Sequence, residues 1–365
     1  MPRPFRLLIS ARDPGAANYL APVAHLAATS PEYELTLVAA EPARQIFHSL
    51  GLTPEKISAS EDALPDAATN LIARSQPDAI LTGLSGPDRG IDEALLAASN
   101  DIPTWALQDF WGDVNKGFGS YADTYLVRDQ LAARLTRQRA SANTIIVGSP
   151  IGERPPVAWR QQLMANRLRR AEQVPPGKPL VVLCSQPLWE QPGYHDTLRQ
   201  VLQNLPPCKL LVRMHPKETQ LERRRLQKLL RRFCRSAWHI CDKPLPELLA
   251  GSDLQVSAFS NTGLDQLRFN KRAPSLSAIP VYLLQHPKLE RLFKQWTGLD
   301  QHPLCELGAA SRARGQSSLG STLTRALEPG TRWQSTQRSR HPLRDGSAED
   351  VLATIASRSN PPKSN

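Results

Sequence analysis

Two residues of the run "KLLVRMHPKE" (209–218) carry side chains suited to phosphate chemistry. Arg213 and His215 stand two apart at the end of an apolar, strand-like segment, so both leave the same face. Pro216 then stops the run. An arginine binds a phosphate bidentately. A histidine donates to a phosphate or sugar oxygen, or exchanges a proton near neutral pH. Polar residues at the carboxyl end of a buried strand are where open α/β sheets hold ligands. Lys217 and Glu218 read as residues that cap the next helix or face solvent.

A second candidate lies in "DLQVSAFSNTGLDQL" (253–267), where a strand ends and a helix begins. Ser260, Asn261, Thr262 and Gly263 occupy the turn. Small residues, free backbone N–H groups and the positive end of a helix dipole make a phosphate cradle. The same residues also suit an ordinary helix N-cap.

In the amino-terminal half, Arg12, Asp13, Pro14 and Gly15 follow the first strand-like run. Asp13 is the candidate general base, since a carboxylate in a partly dry site can hold a raised pKa. Its alternative is a helix cap. Gly83, Ser85, Gly86 and Gly90 follow another strand, and Gln108, Asp109, Trp111 and Asp113 a third. An aromatic beside carboxylates suits a sugar-like ligand, and it suits core packing equally. His195 reads as a helix-start residue or a ligand contact. No GxGxxG fingerprint, P-loop or Asp-x-Asp element occurs. The five cysteines form no CxxC pair, so no zinc site or disulfide framework is signalled.

The elements that must position these residues alternate. Strand-like runs at 5–10, 33–40, 77–85, 104–110, 123–127 and 143–150 are separated by segments with helical spacing of apolar residues. "GSPIGERPP" (148–156) interrupts the pattern as a linker. After a helical segment the alternation resumes at 178–187, 208–216, 237–242, 253–260 and 273–280. Such alternation predicts parallel sheets with helices on their faces. The expectation is an α/β chain of two doubly wound, Rossmann-like domains, 1–150 and 151–307. From Gly308 the composition turns rich in Ser, Arg and Gly, read as a loop-like tail over 308–365 that ends in a short helix started by Ser347 and Asp350.

The chain of 365 residues carries 45 Lys and Arg against 34 Asp and Glu, a net charge of +11 that favours anionic partners. Seven of these cations lie in "ERRRLQKLLRRFCR" (222–235), where Leu226, Leu229, Leu230 and Phe233 share a helix face. A solvated helix or an anionic membrane surface fits this pattern. Nucleic acid is not expected, because aromatics are not interleaved as stacking platforms. No segment reads as a transmembrane helix.

The residues "VRMHPKE" (212–218) and "PLPELLAGSDLQVSAFSNTGLDQLRFNKRAP" (244–274) resemble the nucleotide-binding half of GT-B-type transferases. The likeness is to CDP-glycerol and capsule polysaccharide transferases and to UDP-N-acetylglucosamine 2-epimerase-like proteins. It covers about 178–280, and the amino-terminal half matches in architecture only. The resemblance implies two domains facing across a cleft. It implies that Arg213, His215, Ser260, Asn261 and Thr262 contact a nucleotide diphosphate, with Asp265 near the ribose or the turn. The implied function is transfer of a sugar or polyol phosphate from a nucleotide-activated donor to a glycan or lipid-linked acceptor of the cell envelope. The alternatives are a UDP-sugar 2-epimerase-like enzyme and a non-catalytic nucleotide- or glycan-binding relative. The epimerase pattern of Gly-Gly followed by paired glutamates is missing here. The donor is a substrate, and no separate cofactor or metal is expected. The expected location is cytoplasmic, peripheral on the inner membrane face.

Overall fold

The computed structural model describes residues 3–85, 89–151, 157–272, 278–313, 315–328 and 346–359. The chain divides into two compact units, Met1–Glu153 with Pro342–Asn365, and Arg154–His341.

The first unit is built on strands β1 (Phe5–Ala11), β2 (Tyr33–Ala39), β3 (Glu55–Lys56), β4 (Ala79–Thr82), β5 (Thr104–Leu107), β6 (Thr124–Val127) and β7 (Asn143–Ile146). They form one parallel sheet in the order β3-β2-β1-β4-β5-β6-β7. Helices α1 (Pro14–Thr29), α2 (Ala43–Ser49), α3 (Leu64–Ser75), α4 (Ile91–Ala98) and α5 (Gln130–Arg139) lie between them in sequence. Because successive strand residues alternate faces, Leu7, Ile9 and Ala11 pack with α1 and α2, while Leu8 packs with α3 and α4. The alanines of α1 let it sit close to the sheet. A Cβ on Gly83, just past β4, would overlap the Ala16 side chain.

The second unit contains helix α6 (Ala158–Ala171), then β8 (Leu180–Cys184), α7 (Tyr194–Asn204), β9 (Lys209–Arg213), α8 (Gln220–Phe233), β10 (Ala237–Ile240), α9 (Leu245–Gly251), β11 (Leu254–Ser257), α10 (Thr262–Arg272), β12 (Ile279–Tyr282), α11 (Pro287–Thr297), α12 (Pro303–Glu306), β13 (Ser311–Arg312) and α13 (Leu319–Leu327). Its strands form a second parallel sheet, β10-β9-β8-β11-β12-β13. Both sheets reverse their strand order beside the first strand, between β1 and β4 and between β8 and β11. Crevices for ligands open at the carboxyl ends of strands at such points.

The change in composition at Gly308 is not the end of the second unit. β13 extends the sheet by pairing with β12, and α13 buries Leu319, Leu323 and Ala326, spaced for one helix face. A tail read from its Ser and Arg content hides that stripe. The final helix, α14 (Ala348–Ser359), belongs to the first unit, where Val351, Leu352 and Ile355 join the core beneath α1. The Asp350 N–H donates to Ser347 Oγ at 3.0 Å at its start. Of the strand expected over 273–280, residues 273–277 lie outside the described residues, as do Gly86 and the linker residues 152–156.

Candidate functional site

In the second unit, Cys184 ends β8 and pairs in register with Arg213 at the end of β9. In parallel strands held in register, both side chains leave the same face. The Cys184 thiol is pushed up by burial, and the Thr262 hydroxyl, the Arg213 charge and the Gln255 amide act on it. Arg213, from β9, and the start of α10, which follows β11, thus stand on the two sides of Cys184 at the carboxyl edge where the strand order reverses. Asp265 acts on the same thiol, and its carboxylate accepts from Arg268 at 2.9 Å.

The tip of α10 is less bare than the sequence suggests. The Thr262 N–H donates to Ser260 Oγ at 3.3 Å and the Gly263 N–H to the Ser260 carbonyl at 3.4 Å, both long bonds. The Thr262 hydroxyl turns inward and accepts from Gln255 at 2.9 Å. Gly263 is buried, and its missing Cβ makes room for the Tyr282 hydroxyl, which donates to the Ser260 carbonyl at 3.2 Å. The glycine serves protein packing at this turn.

His215 sits in the turn after β9. Its Nδ1 accepts the Lys217 N–H at 3.1 Å, so the proton of the neutral ring sits on Nε2. Glu218 is neither a cap nor a solvent-facing residue. Its carboxylate accepts the His215 N–H at 2.6 Å, the Trp189 indole N–H at 2.7 Å and the Ser185 hydroxyl. Burial raises its pKa, opposed by those three donors. The cap of α8 is Thr219, which exchanges hydrogen bonds with Glu222. The Gln186 side chain accepts the Phe259 N–H at 2.9 Å, and the Gln186 N–H donates to the Tyr194 hydroxyl at 2.7 Å. The loops after β8, β9 and β11 are thus cross-linked. No periodicity in the sequence marks Glu218, because a carboxylate facing inward from a turn leaves no pattern. His195 lies exposed at the start of α7, beside Asp196.

In the first unit, Asp13 stands at the N-cap position of α1 without a side-chain capping bond. Its carboxylate accepts from Arg12 Nε at 3.2 Å, and Arg12 also donates to the carbonyls of Arg89 and Ser85. Two carboxylates lie beneath that loop. Asp92 accepts from Ser10 at 2.5 Å and Ser85 at 2.7 Å; Glu93 accepts the N–H groups of Ser85 and Gly90, both at 2.9 Å. Burial, then its neighbour Asp92, raises Glu93 to about 7.

Asp109, beyond β5, is packed against Gly15 in the first turn of α1, where a Cβ would overlap its carboxylate. Dense surroundings, then Asp113 and Asp13, raise it to about 7 against the opposing pull of Arg128, although it keeps partial access to solvent. Asp113 is raised to about 6 by burial and by Asp13. Three carboxylates (Asp13, Asp109 and Asp113) thus influence one another at the carboxyl edge of β1 and β5. Trp111 is not a ligand platform. It is buried, donates to Asp129 at 2.8 Å and stacks 4.0 Å from the Arg128 guanidinium. Arg128 donates to the Asp109 carbonyl at 2.5 Å and to the Tyr19 hydroxyl.

In α8, Leu226, Leu229 and Leu230 face inward, and Arg223 and Arg225 pair with Asp242 and Glu190. Among the described residues no group of three His, Cys, Asp or Glu side chains is placed to hold a metal, and no helix is long and apolar enough to cross a membrane.

No protein-family model and no curated protein sequence matches the chain. Solved structures do. The UDP-GlcNAc 2-epimerase of Neisseria meningitidis bound to UDP-GlcNAc is 11% identical, with a TM-score of 0.70 over 97% of this chain and 100% of that one. HepE of Anabaena in complex with UDP and glucose is 13% identical, with a TM-score of 0.61 over 97% and 99%. MurG of Acinetobacter baumannii is 12% identical, with a TM-score of 0.56 over 97% and 99%. The chain has an α/β, GT-B-like fold with two Rossmann-like domains.

Proposed function

We propose that this chain is an enzyme that uses a nucleotide-activated donor and transfers its sugar or polyol phosphate group to a hydroxyl of a glycan or lipid-linked acceptor. The observation that carries the reading is the placement of Arg213 and the start of α10 on the two sides of Cys184, at the carboxyl edge where the strand order of the second sheet reverses. The complexes of similar structures with UDP-GlcNAc and with UDP and glucose support a nucleoside diphosphate there.

On this reading the second unit holds the diphosphate. Arg213 bonds its oxygens, His215 donates from Nε2, and the dipole of α10 adds positive potential. Long bonds at Thr262 and Gly263 yield readily to phosphate oxygens, which are stronger acceptors than Ser260. In sugar transfer the acceptor oxygen bonds to the anomeric carbon and the bond from that carbon to the diphosphate breaks. The acceptor proton passes to a carboxylate, and the charge on the departing diphosphate is stabilised by Arg213 and His215. These groups supply the stabilisation without a metal or a further cofactor. The first unit is assigned the acceptor. Asp13 is one base, and Asp109 is the better matched one, because a group titrating at about 7 both accepts and releases a proton near neutral pH.

The second reading, a UDP-sugar 2-epimerase, draws on the epimerase likeness. Against it, the Gly-Gly followed by paired glutamates of that family is missing from the turn and helix start at 260–267. The test is isothermal titration with UDP, CDP and GDP, followed by incubation with the matching donor. Micromolar binding that is lost in Arg213→Ala supports the nucleotide site. Turnover only with acceptor supports transfer, and turnover of UDP-GlcNAc alone supports epimerisation. No binding of any nucleotide overturns both.

A further inference from the structure

Helix α6 presents an outward stripe that none of the described residues covers. Trp159 is 64% exposed, Leu163 43% and, one residue before the helix, Val157 45%. Arg160, Arg167 and Arg170 are exposed on the same side. At 3.6 residues per turn, Trp159, Leu163, Arg167, Arg170 and Arg160 fall within about 100° of arc. The opposite side buries Gln161, Ala165 and Leu168 in the second unit. The helix contains no Asp or Glu. Arg169, off the stripe, is bonded to Asp253. Arg160, Arg167 and Arg170 have no carboxylate partner among the described residues, and Arg160 lies over the Trp159 ring at 5.2 Å.

We propose that this stripe seats the protein on an anionic lipid surface. Charge complementarity argues for lipid headgroups. Three uncompensated guanidinium groups need anions, and an exposed tryptophan with a leucine one turn on needs an apolar layer directly beneath them. An anionic bilayer interface supplies both at that depth.

α8 holds the densest run of cations in the chain, but its outward apolar content is Leu221 alone, and two of its arginines are paired. The two helices lie on opposite faces of the sheet. Right-handed crossovers put α7 and α8 on one face and α9, which returns the chain across β9 and β8, on the other. α6 packs with α9. A flat bilayer engages one face, and the apolar residues select α6.

The proposal does not depend on the nucleotide reading. Its test is co-sedimentation of the full chain with phosphatidylcholine vesicles, with or without phosphatidylglycerol. Binding is expected only with phosphatidylglycerol. Arg167→Glu with Arg170→Glu lowers it at least about 30-fold. Trp159→Ala with Leu163→Ala lowers it about 10-fold or more. These residues are exposed, so unchanged melting temperatures accompany both losses. Failure of the unaltered chain to sediment with anionic vesicles overturns the proposal. So does binding retained by both double variants but lost in Arg224→Glu with Lys228→Glu. UDP titration of the same variants remains unchanged; a chain that binds vesicles but no nucleotide overturns the nucleotide reading alone.

Discussion

The Glu218 carboxylate accepts the backbone N–H of His215 at 2.6 Å, while the same side chain holds Trp189 and Ser185. One acid thereby fixes the turn that carries the histidine to the loop that follows β8. The acid need not meet a ligand to matter, since it sets where the imidazole stands.

Glu218→Ala leaves two N–H donors and a hydroxyl without their acceptor. The expected cost is about 2–3 kcal/mol of folding stability, read from urea unfolding. Affinity for the nucleotide is expected to fall with it. Glu218→Gln retains one carbonyl acceptor and should lose about half as much. Equal stability of Glu218→Ala and the unaltered chain would remove the positioning role.

Arg213→Ala is expected to weaken UDP binding about 10- to 100-fold, as loss of a charge-assisted pair does. Arg213→Lys keeps the charge and loses the fork, so an intermediate affinity follows. Calorimetric titration gives both values. Identical affinity for all three proteins would move the diphosphate elsewhere.

The carboxyl groups of the first unit make stability depend on pH. Burial lifts Asp109 and Glu93 to about 7. The unfolded chain releases these protons near pH 4, so the folded state binds more protons between about pH 4 and 7. Stability from these groups is fully present below about pH 4 and is lost as pH rises through 7, by up to about 1.4 kcal/mol per pH unit for each group. Asp109→Asn is expected to flatten this slope and to raise stability at pH 8. Urea midpoints at pH 5, 6, 7 and 8 measure it, and an unchanged slope in the variant refutes the assignment.

Gly263→Ala drives a methyl group into the Tyr282 hydroxyl. The expected loss is about 1–3 kcal/mol, the range for overpacking. Tyr282→Phe removes the obstructing oxygen, so the double variant should lose less than the sum of the two single losses. Strict additivity would place the clash elsewhere.

Much of the architecture was legible because strands such as β8 are apolar throughout, or nearly so as in β9, and alternate with amphipathic segments. Arg213 and His215 were visible as polar interruptions of such a strand. α13 was not, because Leu319, Leu323 and Ala326 in a Ser- and Gly-rich stretch look like loop until their spacing is matched to a partner surface. Nor was the inward turn of Glu218, or the burial of Trp111 under Arg128. Those depend on which loops meet at the sheet edge, and contacts distant in sequence leave no periodic mark. Asp109 was visible as a residue, but its shifted proton affinity was not, because that arises from packing against Gly15 and from nearby acids.

The return of α14 to the core beneath α1 bears on how the chain is made. A ribosome that has finished β7 has released every strand of the first sheet, yet Val351, Leu352 and Ile355 are still some two hundred residues away. The second unit can close on itself while the first waits with an apolar patch uncovered. The helix that completes the first unit thus leaves the ribosome after the whole second unit, and a nascent chain stalled before Ala348 should be held by chaperones through its first unit.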